Sequence, residues 1–122
     1  MRTKIDRGES PGPFSPVIRD GEMVYVAGQG GLVDGAVVQG GITAETAQAL
    51  ANIEKLLTTI GAGVDDLVAV TCYLVDIREW DQMNVEWTKF FVGRAVPTRT
   101  AIGVAGLPRG MRVEMTATAI KR

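Results

Sequence analysis

The chain has no histidine at all. That removes the commonest general base near neutral pH, the serine–histidine and cysteine–histidine nucleophile pairs, and most transition-metal sites. It has one cysteine, Cys72, which excludes an internal disulfide and any cysteine-cluster metal site. Cys72 stands inside the apolar run Leu67 to Val75, where a thiol is expected to be a small core residue rather than a nucleophile. The 13 basic residues are offset by 14 acidic ones, so no basic footprint for nucleic acid is expected. No apolar run approaches the roughly 20 residues that span a bilayer, so no membrane partner is expected either. Met1 to Asp6 lack the apolar stretch of a secretory leader, and a cytoplasmic location is the default expectation. Any chemistry must run on carboxylate, guanidinium, hydroxyl, backbone groups or bound water.

What is present is an ordinary globular composition, 122 residues of which 46% are apolar, and one domain over 1–122 is expected. Arg2 to Ile5 reads as a short strand and Gly8 to Pro16 as a loop rich in breakers. Val17 to Arg19 and Met23 to Val26 read as a hairpin turning at Asp20-Gly21. Ala27-Gly28-Gln29-Gly30-Gly31 follows, without a phosphate-loop lysine or a full dinucleotide fingerprint. Thr43 is the expected N-cap of a helix over 44–60, whose Ala49, Ile53, Leu56 and Ile60, joined by Leu50 and Leu57, recur at helical spacing. Leu67 to Val75 reads as a strand covered on both faces. A second helix over 78–92 carries Trp80, Met83, Trp87, Phe90 and Phe91, an aromatic stripe expected in the core. Asn84 lies in that helix.

The stretch from Pro97 to Ile120 reads as strand, turn and strand. On the second strand Val113, Met115, Ala117 and Ala119 share one face, and Glu114, Thr116 and Thr118 the other. On the first, placing Ile102 and Val104 toward the core leaves Arg99, Ala101 and Gly103 opposite. Arg99 and Glu114 would then share the outer face. Such a pair either holds a small anion beside an acid or base, or forms a cross-strand ion pair of little energetic value. The order of elements predicts an α+β architecture, two helices on one face of a mixed sheet. The other face also needs cover, which self-association would supply.

Several pieces resemble one family in order and spacing. They are Gly12-Pro13-Phe14-Ser15, Val24-Tyr25-Val26-Ala27-Gly28-Gln29, Asn52, Met83-Asn84-Val85, Phe90-Phe91, Pro97-Thr98-Arg99-Thr100, and Leu107-Pro108 through Val113-Glu114. Over nearly its whole length the chain resembles the RidA family, also called YjgF/YER057c/UK114. The resemblance implies a chorismate-mutase-like fold, a homotrimer with inward-facing sheets, and ligand sites in the clefts between subunits. It implies hydrolysis of reactive 2-imino or 2-enamino acids to 2-oxo acids and ammonia, with no metal or organic cofactor. It implies that Arg99 grips the substrate carboxylate, that Glu114 positions or activates water, that Asn84 lies near the site, and that Gly28 brings its backbone to the ligand.

This chain departs from the family pattern at three positions. Ala101 stands where a cysteine is frequent, Phe14 where a tyrosine is, and Ala27 where a serine is. All three changes make the expected pocket more apolar, so a trimer that binds 2-oxo acids or similar carboxylates without turnover is the alternative expectation. Ribonuclease activity, a label some relatives carry, fits poorly with a chain that has no histidine and no basic stripe.

Overall fold

The computed structural model describes the backbone of Asp6–Arg7 and all of residues 12–122. The expected strand over 2–5 lies outside the described residues. Strands β1 (Asp6–Arg7), β2 (Val17–Asp20), β3 (Met23–Gly30), β6 (Leu67–Leu74), β7 (Thr98–Gly103) and β8 (Val113–Ile120) form one sheet in the order β1-β2-β3-β8-β6-β7. Only β6 and β7 run parallel; the other pairs are antiparallel, so the sheet is mixed. Strands β4 (Leu32–Val33) and β5 (Ala36–Val37) make a separate small hairpin.

The two α-helices lie on one face of the sheet. Helix α1 (Gly41–Thr59) buries Ile42, Ala49, Leu50, Ile53 and Leu57, one stripe at helical spacing. Each fully buried Leu or Ile contributes about 1.5–3 kcal/mol. Helix α1 starts before Thr43: Gly40, with φ 119°, is its N-cap, and Thr43 lies within the first turn. Gly61, with φ 80°, turns the chain out at the other end. Helix α2 (Trp80–Phe90) follows a 3-10 turn at Ile77–Glu79, which the Asp76 carboxylate caps by accepting from Arg78 N at 3.0 Å. The β2–β3 hairpin turns at Gly21-Glu22, one residue later than expected, because Asp20 still pairs with Met23.

Val113, Met115, Ala117 and Ala119 of β8 face the helices and are buried, as their alternation predicts. Val70, Cys72 and Leu74 of β6 join them in one hydrophobic cluster. Strand β6 is not covered on both faces. Its alternate residues Ala69, Thr71 and Tyr73 are exposed or half-buried, on the side without helices. Tyr25 (48% exposed) and Ile102 (42% exposed) share that open face.

Candidate functional site

Partners across a sheet point to the same side, so register fixes where each candidate residue faces. Arg99 pairs with Val70, which pairs with Ala117, and both of these are core residues. Glu114 pairs with Tyr73, and Tyr73 with Ile102, on the open face. Arg99 and Glu114 therefore occupy opposite faces of the sheet, and the expected shared face is corrected. Taking Ile102 as a core residue inverted β7: Ile102 and Thr100 point to the open side, while Arg99 and Ala101 point toward the helices. An apolar residue on an edge strand tells which face is apolar, not which face carries helices.

On the helix side, the guanidinium carbon of Arg99 lies 4.9 Å from the ring centre of Trp87 and 5.8 Å from that of Trp80. Among the described residues it takes part in no ion pair. Asn84 lies on the same helix, and its Oδ1 is buried without a hydrogen-bond partner among the described residues. Ala101, half-buried, pairs with Cys72. Burial pushes the Cys72 thiol up to about 11, against a smaller downward pull from the Arg99 charge. A thiol so protonated is a poor nucleophile at neutral pH, and its core role holds.

On the other side, Glu114 lines a cavity of about 830 Å³ together with Phe14, Gly28, Arg109 and Met111. Burial alone raises the Glu114 carboxyl above its ordinary range. The sheet register shifts between Val26 and Gln29, and this irregularity sets Gly28 against Glu114. A Cβ at Gly28 would run into that carboxylate, so the close approach requires glycine there. Ala27 is not part of the cavity lining; its N–H donates to Pro16 O at 2.9 Å. Phe14 is exposed at the cavity wall.

Two contributors escape sequence reasoning. Arg109 adopts a left-handed backbone (φ 59°) and donates from Nη1 to Gly35 O at 3.1 Å, which brings a cation to the cavity. Only the run Pro108-Arg109-Gly110 hints at such a turn. Trp80 and Trp87 carry Arg99, whereas their spacing indicates only a helix face. Asn52, one of the residues of the resemblance, is structural. Its Nδ2 donates to Gly30 O and Leu32 O, both at 3.0 Å, and fixes the bend after β3.

Among the described residues no group of three or more cysteines, aspartates and glutamates is placed to hold a metal ion. None of their helices is long and apolar enough to cross a membrane. The structure thus offers two half-sites. One is an aromatic-seated cation with an unspent acceptor on the neighbouring helix. The other is a carboxyl lifted by burial in a mostly apolar cavity.

A mixed sheet with two helices on one face defines an α+β protein, and the two candidate half-sites lie on its two sides. The chain belongs to the Endoribonuclease L-PSP family, whose model matches residues 5–121; this is the YjgF/YER057c/UK114 or RidA family. A RutC family protein of Pyrococcus abyssi is 37% identical over 112 residues, covering 90% of this chain and 87% of that protein. The 2-iminobutanoate/2-iminopropanoate deaminase of mouse is 36% identical over 126 residues, covering 99% of this chain and 93% of that enzyme. Among solved structures, a YjgF/YER057c/UK114 family member from Mycobacterium tuberculosis superposes with a TM-score of 0.84 at 29% identity, covering 96% of this chain and 99% of that one. The expected α+β fold with two helices on a mixed sheet is the fold of this family.

Proposed function

We propose that this protein is an enamine/imine deaminase that hydrolyses small 2-imino acids to 2-oxo acids and ammonia. One observation carries the reading: Arg99 is a half-buried guanidinium with no acid beside it among the described residues. Its planar fork is free to take both oxygens of a carboxylate. The naming of the mouse relative as a 2-imino acid deaminase supports the same choice.

In the proposed reaction, Arg99 holds the substrate carboxylate and so fixes C2. Water adds to C2 of the protonated C=N bond while the Glu114 carboxylate takes a proton from it. The resulting carbinolamine carries hydroxyl and amino groups on one carbon. Glu114 returns the proton to nitrogen, the C–N bond breaks with its electron pair leaving on ammonia, and the hydroxyl proton passes to the Glu114 carboxylate as C=O forms. A carboxyl raised above its ordinary range suits this shuttle, because its carboxylate is a stronger base and holds the proton it takes until nitrogen needs it. The orphan Asn84 Oδ1 is an acceptor for the substrate N–H. Imines hydrolyse readily in water, so holding and orienting the substrate supplies much of the needed acceleration.

Because Arg99 and Glu114 face opposite sides of one sheet, the proposal includes a homotrimer in which Arg99 of one copy meets the Glu114 cavity of the next. The exposed Tyr25 and Ile102 on the open face support such an assembly.

The test is an assay in which 2-iminobutyrate is generated in situ and its disappearance followed. Wild-type protein should accelerate it at micromolar concentration. Arg99→Ala should lose about 3 kcal/mol of transition-state binding, roughly a hundredfold in kcat/KM, and Arg99→Lys should recover only part. No acceleration over buffer by the wild type would refute the proposal. If calorimetry then showed 2-oxobutyrate binding that depended on Arg99, the site would be a carboxylate-binding one without turnover. The apolar residues Ala101 and Phe14 favour that second reading.

A further inference from the structure

Trp80 and Trp87 are the only two tryptophans of the chain, and both lie on α2. Residues seven apart on a helix are about two turns apart and share a face. Both indoles on that face reach the same cation, Arg99, at 5.8 and 4.9 Å. Trp87 is buried at 8% exposure, and its ring also packs on that of Phe91, tilted, with centres 4.6 Å apart. Trp80 is 42% exposed, more than a core residue on this helix would be. Core packing therefore accounts for Trp87 but not for Trp80.

A guanidinium withdrawn from water needs compensation. An acidic partner would provide it by consuming the N–H donors that a ligand needs. An aromatic face provides it differently: the ring quadrupole attracts the cation and leaves the donor edge unspent. Arginine, being planar and weakly hydrated, suits such stacking better than lysine does. Asp81, in the first turn of α2, and Glu86, which binds Lys89 at 3.1 Å, are the acids on this helix, and neither pairs with Arg99. We infer that Trp80 and Trp87 are positioning residues for Arg99: together they set the plane of its guanidinium and keep its donor edge open to a ligand carboxylate. The functional half of this inference rests on Arg99 being the carboxylate anchor of the proposed deaminase; the seating of the cation on the rings does not.

Two measurements separate those halves. In the ligand-free protein, ring currents should move the side-chain resonances of Arg99 upfield, and Trp80→Leu should return them part of the way to ordinary arginine values. In the imine assay, Trp80→Leu should raise KM about threefold to fivefold, the size of an exposed cation–π contact, with kcat within about twofold. Trp80→Phe should restore most of the loss, since it keeps a ring. Trp87→Leu should act in the same direction and more strongly, about tenfold. Trp87 is in the core, so an unfolded Trp87→Leu chain shifts the weight of the test to Trp80, which lies at the surface. Arg99 resonances and KM that match wild type in Trp80→Leu would overturn the inference, as would a Phe variant no better than Leu. If the wild type turns over no imine, the same comparison is made with the Kd of 2-oxobutyrate in place of KM. A wild type that neither turns over the imine nor binds 2-oxobutyrate, yet shows the Arg99 ring-current shifts, would refute the deaminase reading and leave only the seating of the cation standing.

Discussion

The two ionisable groups of the proposed site have opposite surroundings, and the difference is measurable. The Arg99 guanidinium lies against the faces of Trp80 and Trp87. Glu114 has no cation among the causes that shift its pKa, so burial lifts it unopposed. The folded protein therefore holds this proton more tightly than the unfolded chain does. The stability contributed by this group is complete below the unfolded-state pKa, about 4.5, and is lost as the pH rises through the higher folded-state value. Glu114→Gln cannot ionise and escapes that loss. By scanning calorimetry the variant should match the wild type at about pH 4 and exceed it in Tm at about pH 7. Its imine turnover should meanwhile fall roughly a hundredfold. A variant less stable than wild type at neutral pH would show that the fold stabilises the Glu114 carboxylate, the opposite of an upward shift driven by burial.

At the scale of elements, the end of β3 is shaped by neighbours that a linear reading does not contain. Asn52 reaches from α1 to accept a bond from Gln48 at 2.9 Å and to donate to the Gly30 and Leu32 carbonyls. Asn52→Ala removes two donors from those carbonyls and should cost about 2 kcal/mol, read as a lower denaturant midpoint at unchanged m. Gly28→Ala should behave differently. The added methyl meets the far end of a flexible side chain, so the fold should persist with Tm within a few degrees. The Glu114 carboxyl, however, must move, and turnover should drop at least about tenfold, because misplacement of about 1 Å is costly in a site. The helices were legible in the sequence because Leu50, Ile53 and Leu57 announce a buried stripe that any partner would satisfy. The face of β7 was not. Ile102 fits an apolar surface equally well against a helix layer or toward a second copy, and parity alone does not tell these apart. Arg99 and Glu114 were legible as candidates through strand alternation and, with Gly28, through family resemblance. Their arrangement was not, since it depends on the parallel β6–β7 register, which no local residue pattern records.

At the scale of the whole molecule, that register has a consequence for assembly. A sheet is a wall between its two faces, so within one copy no small ligand touches both Arg99 and Glu114. If both act on one substrate, they belong to different copies. Consider Arg99→Ala and Glu114→Gln chains expressed together. Each alone should be inactive, because every site lacks one group. In a cyclic trimer containing both kinds of chain, going once around the ring crosses from a Glu114→Gln chain to an Arg99→Ala chain only once. That single junction, read in the direction in which Arg99 of one copy meets Glu114 of the next, restores a complete site. Random mixing in equal amounts makes about three quarters of the trimers mixed, each with about one of three sites intact, so roughly a quarter of wild-type activity should return. Sedimentation of the same samples should give three times the mass of one chain. Recovery near zero with the trimer intact would place both groups in one copy and contradict the register; a monomeric protein with full activity would remove the shared site altogether. If the open faces meet in the proposed trimer, Thr71→Glu on that face should break both the assembly and the activity by burying like charges together, while leaving the helix-side core untouched.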